Sequence, residues 1–166
     1  MIIGNRPLFK DAWAAFMVVR VPVSEVGKKI GGVVQKNTEM TIGGFENACP
    51  IRMSYVLNRT GFPISKSHLY ATVSGGDGFQ YIYRVNDMMA YLERKFGKPD
   101  KTARSPQPAD FKGLQGIIVI KGDGWGNARG HVTLWNGSTC SDSCHLMGDP
   151  ENGYFVPQTA SIWLLR

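Results

Sequence analysis

The chain of 166 residues carries a net charge of +6 at pH 7, with 43% hydrophobic and 11% aromatic residues. That is enough apolar matter for a single domain over residues 1–166 with its own core, and it excludes a disordered chain. No stretch holds the roughly 18 apolar residues of a membrane-crossing helix, and the basic residues stand singly or as the pair Lys28-Lys29 rather than in the dense runs of a nucleic-acid binder, so the charge points to another kind of acidic partner.

Phe9, Trp13 and Phe16 recur at helical spacing and predict an amphipathic first helix. Within it, Ala12 to Val19 imitates the apolar part of a signal peptide. Asp11 interrupts its approach and no clean small-residue cleavage site follows, so the sequence reads as lacking a Sec signal. Ser24 is placed to cap a short second helix bearing Val26 and Ile30, which Gly31-Gly32 would end. Gly43-Gly44 then leads into Asn47-Ala48-Cys49-Pro50-Ile51-Arg52-Met53-Ser54-Tyr55-Val56-Leu57-Asn58. Pro50 suits the first position of a helix, which puts Cys49 at the N-cap. Unpaired backbone N–H groups and the positive end of the helix dipole favour a thiolate there, the nucleophilic form of cysteine. Met53, Val56 and Leu57 lie beneath the sulfur on the same face and predict burial against a core. The commoner fate of a lone cysteine is to be a buried structural residue, and this stretch by itself leaves both readings open.

Beyond Pro63 the chain reads as loop through Ser74-Gly75-Gly76-Asp77-Gly78. Gln80 to Val85 alternates as a strand, and Asn86 caps a predicted helix with Met89, Tyr91, Leu92 and Phe96, closed by Gly97 and Pro99. Lys98 to Asp110 reads as a surface loop. Ile117 to Ile120 has the continuous β-branched character of a central strand. The glycine-rich run from Gly122 to Gly130 lacks a P-loop ending and reads instead as a loop lining a site, with Trp125 as an apolar wall. His131 to Trp135 and Ser138 to Asp142 flank Asn136-Gly137, the strongest short hairpin signal, and the last strand is expected at Ile162 to Leu165.

A two-residue turn at Asn136-Gly137 puts Trp135 opposite Ser138 and His131 opposite Asp142. Facing side chains in such a pair lie close enough for a carboxylate to orient an imidazole. His68 sits in a Ser-Lys-Ser-His loop without a paired acid, and His145 abuts Cys144, so His131 is the candidate base. With Cys49 it makes a nucleophile on a helix start, a base on a strand and an orienting acid, the logic of acyl transfer. The remaining cysteines, Cys140 and Cys144, could form a bridge only if the chain turns between them, and a bridge implies an oxidising compartment. The alternative of a zinc site built from Cys140, Cys144, His145, Asp142 and even Cys49 fits known ligand spacings poorly. The residues call for no metal and no cofactor.

Asn47 to Ser54, Gly130 to Gly137, Cys140 to His145 and Tyr81 to Met88 together resemble the fourth family of type VI secretion amidase effectors over nearly the whole chain. The resemblance implies an α+β fold, a papain-like NlpC-type cysteine peptidase with N-terminal helices packed on a mostly antiparallel sheet. It also implies hydrolysis of the γ-D-glutamyl-meso-diaminopimelate bond of peptidoglycan stem peptides. By motif position Cys49 is the nucleophile, His131 the general base and acid, and Asp142 the residue that orients His131. Cys140 and Cys144 are implied to be disulfide-bonded. Family members are injected into a rival's periplasm and neutralised by a cognate periplasmic immunity protein, so a bridge and the lack of a Sec signal are compatible. Arg52 and Arg129, with Trp125, are the candidate contacts to a carboxylate-rich stem peptide. Two other readings share these residues: a cysteine-dependent acyl transferase or deamidase acting on proteins, and a non-enzymatic cell-wall binding module in which Cys49 is structural.

Overall fold

A computed structural model describes residues 5–39, 48–123, 130–142 and 156–166. The predicted periodicity near the start becomes α1 (Phe9–Val19), whose stripe of Ala12, Phe16 and Val19 is buried. Pro22 precedes α2 (Val23–Ile30), so Ser24 lies inside that helix rather than capping it, and the Gly31 N–H closes the end on the Gly27 carbonyl. A further helix, α3 (Gly32–Glu39), follows at once. Its first residue takes φ 62, and a Cβ there would come within 2.6 Å of the Gly75 carbonyl carbon, so only glycine permits this corner. Val34 is the residue it buries, which is too thin an apolar stripe to predict a helix from sequence.

The cysteine helix, α4 (Cys49–Arg59), buries Cys49, Ile51, Met53, Val56 and Leu57 and also the polar Ser54 and Asn58. Those two polar side chains are fully used. The Ser54 hydroxyl meets the Pro50 carbonyl and both backbone groups of Ile82, and the Asn58 amide binds the Gln80 carbonyl and the Ile64 N–H. They tie the helix to the hairpin of β1 (Thr72–Ser74) and β2 (Gln80–Ile82), so part of the predicted loop is a strand. The predicted strand at Gln80 is shorter than expected because α5 (Val85–Phe96) begins at Val85, with Arg84 rather than Asn86 at its N-cap.

The region expected to be only a loop also contains β3 (Lys101–Arg104) and a 3-10 turn at Pro108–Phe111. With β4 (Gly116–Asp123), β5 (Gly130–Trp135) and β6 (Val156–Leu164), β3 forms an antiparallel sheet in the order β3-β6-β4-β5. Successive residues of a strand face opposite sides of the sheet. Ile117, Val119, Val132, Leu134 and Trp163 therefore pack with α1, α4 and α5, while Ile118, Ile120, Trp135, Ala160 and Ile162 pack with Phe111 on the other face. The expected α+β arrangement, helices on an antiparallel sheet, is the one observed.

Candidate active site

The site forms where the start of α4 meets the outer edge of β5. Ala48 already has helical backbone angles (φ −86, ψ −4) and accepts the Arg52 N–H, so it is the N-cap. Cys49 is thus the first helical residue and Pro50 the second, one place further in than expected. The face beneath it is buried as predicted, and the Cys49 side chain is itself fully buried, packed with Met53, Val56 and Leu57. β5 pairs with β4 along one edge, and its other edge turns N–H groups outward. Val132 N–H reaches Cys49 Sγ at 3.5 Å, and Leu134 N–H reaches Ser141 Oγ at 3.2 Å.

His131, one residue before Val132, is 5% exposed, which makes the fate of its charge decisive. Its Nε2 lies 3.0 Å from Asp142 Oδ1, and the ring also makes a side-chain hydrogen bond with Cys49. Burial opposes a charge on the ring, but the Asp142 carboxylate and Cys49 outweigh it and push the imidazole up to about 10. Burial likewise opposes the Asp142 charge, and it too is outweighed. His131, the Thr133 hydroxyl and the more distant Arg52 guanidinium hold the carboxyl below its ordinary range.

The pair predicted from turn geometry therefore meets, but by a different register. The turn is not a two-residue one. Asn136 Oδ1 accepts the N–H groups of Ser138 and Thr139, and Asn136 N–H donates to the Thr139 carbonyl, closing a four-residue loop. Gly137 has φ 104, while Asn136 is not among the described residues with positive φ, as a type I′ turn would require. Trp135 is thus bridged to Cys140, and Ser141 N–H donates to the Leu134 carbonyl. Thr133 falls beside Asp142, with its hydroxyl 2.6 Å from Oδ1, and the carboxylate reaches His131 diagonally.

Thr133 and Ser141 were missed by sequence reasoning, although Thr133 stands two residues after His131 and so on the same face of the strand. Arg52 has a structural use beside the substrate contact expected of it. Its Nε and one terminal nitrogen bind the Val19 and Val21 carbonyls at 3.0 and 2.8 Å, tethering the end of α1 to the first turn of α4. His68 is exposed. Trp125, Arg129, Cys144 and His145 lie outside the described residues, so the expected disulfide is described only at its Cys140 end. Cys140 is buried beside Trp135. Among the described residues no group of three or more His, Cys, Asp or Glu side chains could hold a metal ion, and no helix is long and apolar enough to cross a membrane.

A helix that delivers a thiol to the edge of an antiparallel sheet, whose outermost strand supplies the imidazole, is the layout of the papain-like, NlpC-type cysteine hydrolases, and the chain has that fold. It belongs to the type VI secretion system (T6SS) family "amidase effector protein 4", Tae4, which matches residues 45–164. The protein is accordingly an antibacterial amidase effector, a peptidoglycan hydrolase delivered to target cells by a type VI system. Among solved structures, it is similar to the effector Tae4 from Salmonella typhimurium bound to the immunity protein Tai4 from Enterobacter cloacae. That likeness has a TM-score of 0.91 and 60% identity, over 97% of this chain and 100% of that one. It is likewise similar to Tae4 in the Tae4-Tai4 complex from Enterobacter cloacae, with a TM-score of 0.91 and 53% identity, over 97% and 99% of the two chains. The Salmonella Typhimurium Tae4-Tai4 complex gives 0.89 and 58%, over 98% and 100%. No match was found among curated proteins.

Proposed function

We propose that this effector hydrolyses the γ-D-glutamyl-meso-diaminopimelate bond of peptidoglycan stem peptides through Cys49, His131 and Asp142. The observation that carries the reading is the hydrogen-bonded run from Cys49 through His131 to Asp142. Since Nε2 of the ring serves Asp142, Nδ1 is the nitrogen that meets the thiol. A ring held protonated by its two neighbours stores the proton that the reaction needs. Cys49, as the thiolate partner of that imidazolium, attacks the γ-glutamyl carbonyl carbon and forms the S–C bond of a tetrahedral intermediate. Its oxyanion is stabilised by a backbone N–H at the start of α4. Collapse breaks the C–N bond while His131 gives its proton to the departing diaminopimelate amine. The neutral ring then takes a proton from water, whose oxygen attacks the thioester. Breaking of the C–S bond releases the γ-glutamate carboxyl and restores the thiolate-imidazolium pair. Asp142 stays ionised throughout and holds the ring.

The chain acts in the target cell's periplasm, where the type VI system delivers it. The net charge of +6 suits a carboxylate-rich substrate. Trp125 and Arg129 are substrate contacts in this reading, and Arg52 acts through its tether. In this reading Cys140 and Cys144 are disulfide-bonded, with Asp142 between them in the sequence. Because Tae4 relatives are seen bound to Tai4 immunity proteins, a cognate immunity protein is the expected partner of this chain in the producing cell.

Mass spectrometry of purified sacculi digested with the protein and with Cys49→Ala tests this. New fragments ending at γ-D-glutamate, absent with the variant, are expected. Digestion by the variant, or fragments ending elsewhere, would overturn the assignment of nucleophile or bond respectively.

A further inference from the structure

Thr133 and Ser141 are buried polar residues that the three-residue mechanism leaves without a role. Thr133 Oγ1 lies 2.6 Å from Asp142 Oδ1 and 2.8 Å from Ser141 Oγ, and Ser141 Oγ lies 3.2 Å from the Leu134 nitrogen. Each hydroxyl has one hydrogen to give. An ionised carboxylate only accepts, so the Thr133 hydrogen goes to Asp142. Thr133 therefore accepts from Ser141, and Ser141 accepts from the Leu134 N–H. The same carboxylate oxygen also takes the N–H of His131 Nε2. The run has one direction, begins at a backbone group fixed in β5 and ends at the imidazole.

We propose that Thr133 and Ser141 are positioning residues for the catalytic acid: their hydroxyls aim Asp142 Oδ1 at His131, so that the ring presents Nδ1 to Cys49. The placement explains why the site needs them. Asp142 follows the last residue bridged to β5, Cys140, by two positions, and it is not part of a strand. With no ladder to set its side chain, the hydroxyls set it. The charged groups that act on Asp142 are His131, which bonds to it, and Arg52, while Cys49 lies across the ring. Thr133 adds a hydrogen bond to the ionised form, and losing it raises the pH at which the carboxylate takes up a proton.

The inference rests on the peptidase reading, and its test has one arm that does not. A hydrogen bond to a charged group is worth about 10- to 100-fold in an equilibrium or rate. For Thr133→Val, kcat on a purified disaccharide-tetrapeptide is expected to fall by about that factor, with KM within about twofold. The acidic limb of kcat/KM should move to higher pH. Thr133→Ser restores both, and Ser141→Ala shows a smaller shift in the same direction. The second arm follows the ¹³C resonance of the Asp142 carboxyl against pH without substrate, and its midpoint should rise in Thr133→Val and return in Thr133→Ser. An unmoved midpoint, or Thr133→Ser behaving like Thr133→Val, overturns the proposal. If Thr133→Val does not fold, the midpoint in Ser141→Ala decides in the same way. A wild-type protein inert on the tetrapeptide would sink the peptidase reading, and the carboxyl titration, which needs no substrate, would still decide whether the two hydroxyls hold Asp142.

Discussion

Replacing Asp142 with asparagine keeps the size of the side chain and an acceptor oxygen near His131 while removing the charge on which the ring depends. That ring is pushed from 6.5 up to about 10 against the opposing effect of its own burial. At 1.36 kcal/mol per pH unit, the imidazolium is favoured by about 5 kcal/mol. The carboxylate and Cys49 supply this jointly against the burial, and one opposite charge at such a distance shifts a pKa by about 1 to 3 units, or about 10- to 1000-fold in the ratio of charged to neutral ring. In Asp142→Asn, His131 should lose its proton about 1 to 3 pH units below the wild-type value of about 10. The assay is kcat/KM on the disaccharide-tetrapeptide from pH 5 to 11. The basic limb should retreat by about two pH units, with the largest deficit between pH 8 and 10. Folding stability should follow the same signs. The raised His131 contributes fully below about 6.5, and its contribution drains away as pH rises towards about 10. The lowered Asp142 contributes above the ordinary carboxylate range near 3.9, and that is lost as pH falls through and below it. A basic limb within about half a pH unit of wild type, with kcat within about threefold, would refute the coupling.

Arg6 and Asp100 form an ion pair at 2.6 Å with side chains only 4% and 8% exposed, and Arg6 also binds the Phe96 and Leu164 carbonyls. Arg6→Ala leaves Asp100 buried with its charge uncompensated, so unfolding by urea should show a loss of about 3 to 5 kcal/mol. A loss below about 1 kcal/mol would mean that water reaches the carboxylate. The proposed Cys140–Cys144 bridge is checked by counting thiols in the unfolded, unreduced protein: one is expected, from Cys49, and three would remove the bridge.

What the sequence made legible was decided by local chemistry. Pro50 after Cys49 announced a helix start with a thiol on it, and the β-branched run Ile117 to Ile120 announced an inner strand, because each signal is complete within a few residues. The register of the β5 turn was not legible in this way. Asn-Gly admits both a two-residue turn and a loop folded around the asparagine side chain, and the choice fell to Asn136 Oδ1 capturing two backbone N–H groups. His131 and Asp142 were paired correctly through the wrong register because a carboxylate can reach a neighbour diagonally as well as directly. The charge of Arg52 is legible in the sequence, but its bonds to the Val19 and Val21 carbonyls are not. Its role depends on where the end of α1 lands, a tertiary fact that no window around Arg52 contains. The edge strand β3 was hidden by its composition, since Lys101-Thr102-Ala103-Arg104 has almost nothing to bury.

The strand order carries a consequence for how the toxin comes into being. β6, the last strand in chain order, is not at a margin: it lies between β3 and β4, and Arg6 at the other end of the chain is hydrogen-bonded to the Leu164 carbonyl. The hairpin of β4 and β5 that carries His131 thus lacks its inner neighbour until residues 156–164 have left the ribosome. Pairing across so long a sequence separation is slow and comes late in folding. The Cys49–His131 pair proposed as catalytic, on α4 and β5, therefore rests on a sheet that residues 156–164 must close, so a nascent effector lacking them is expected to be a poor enzyme.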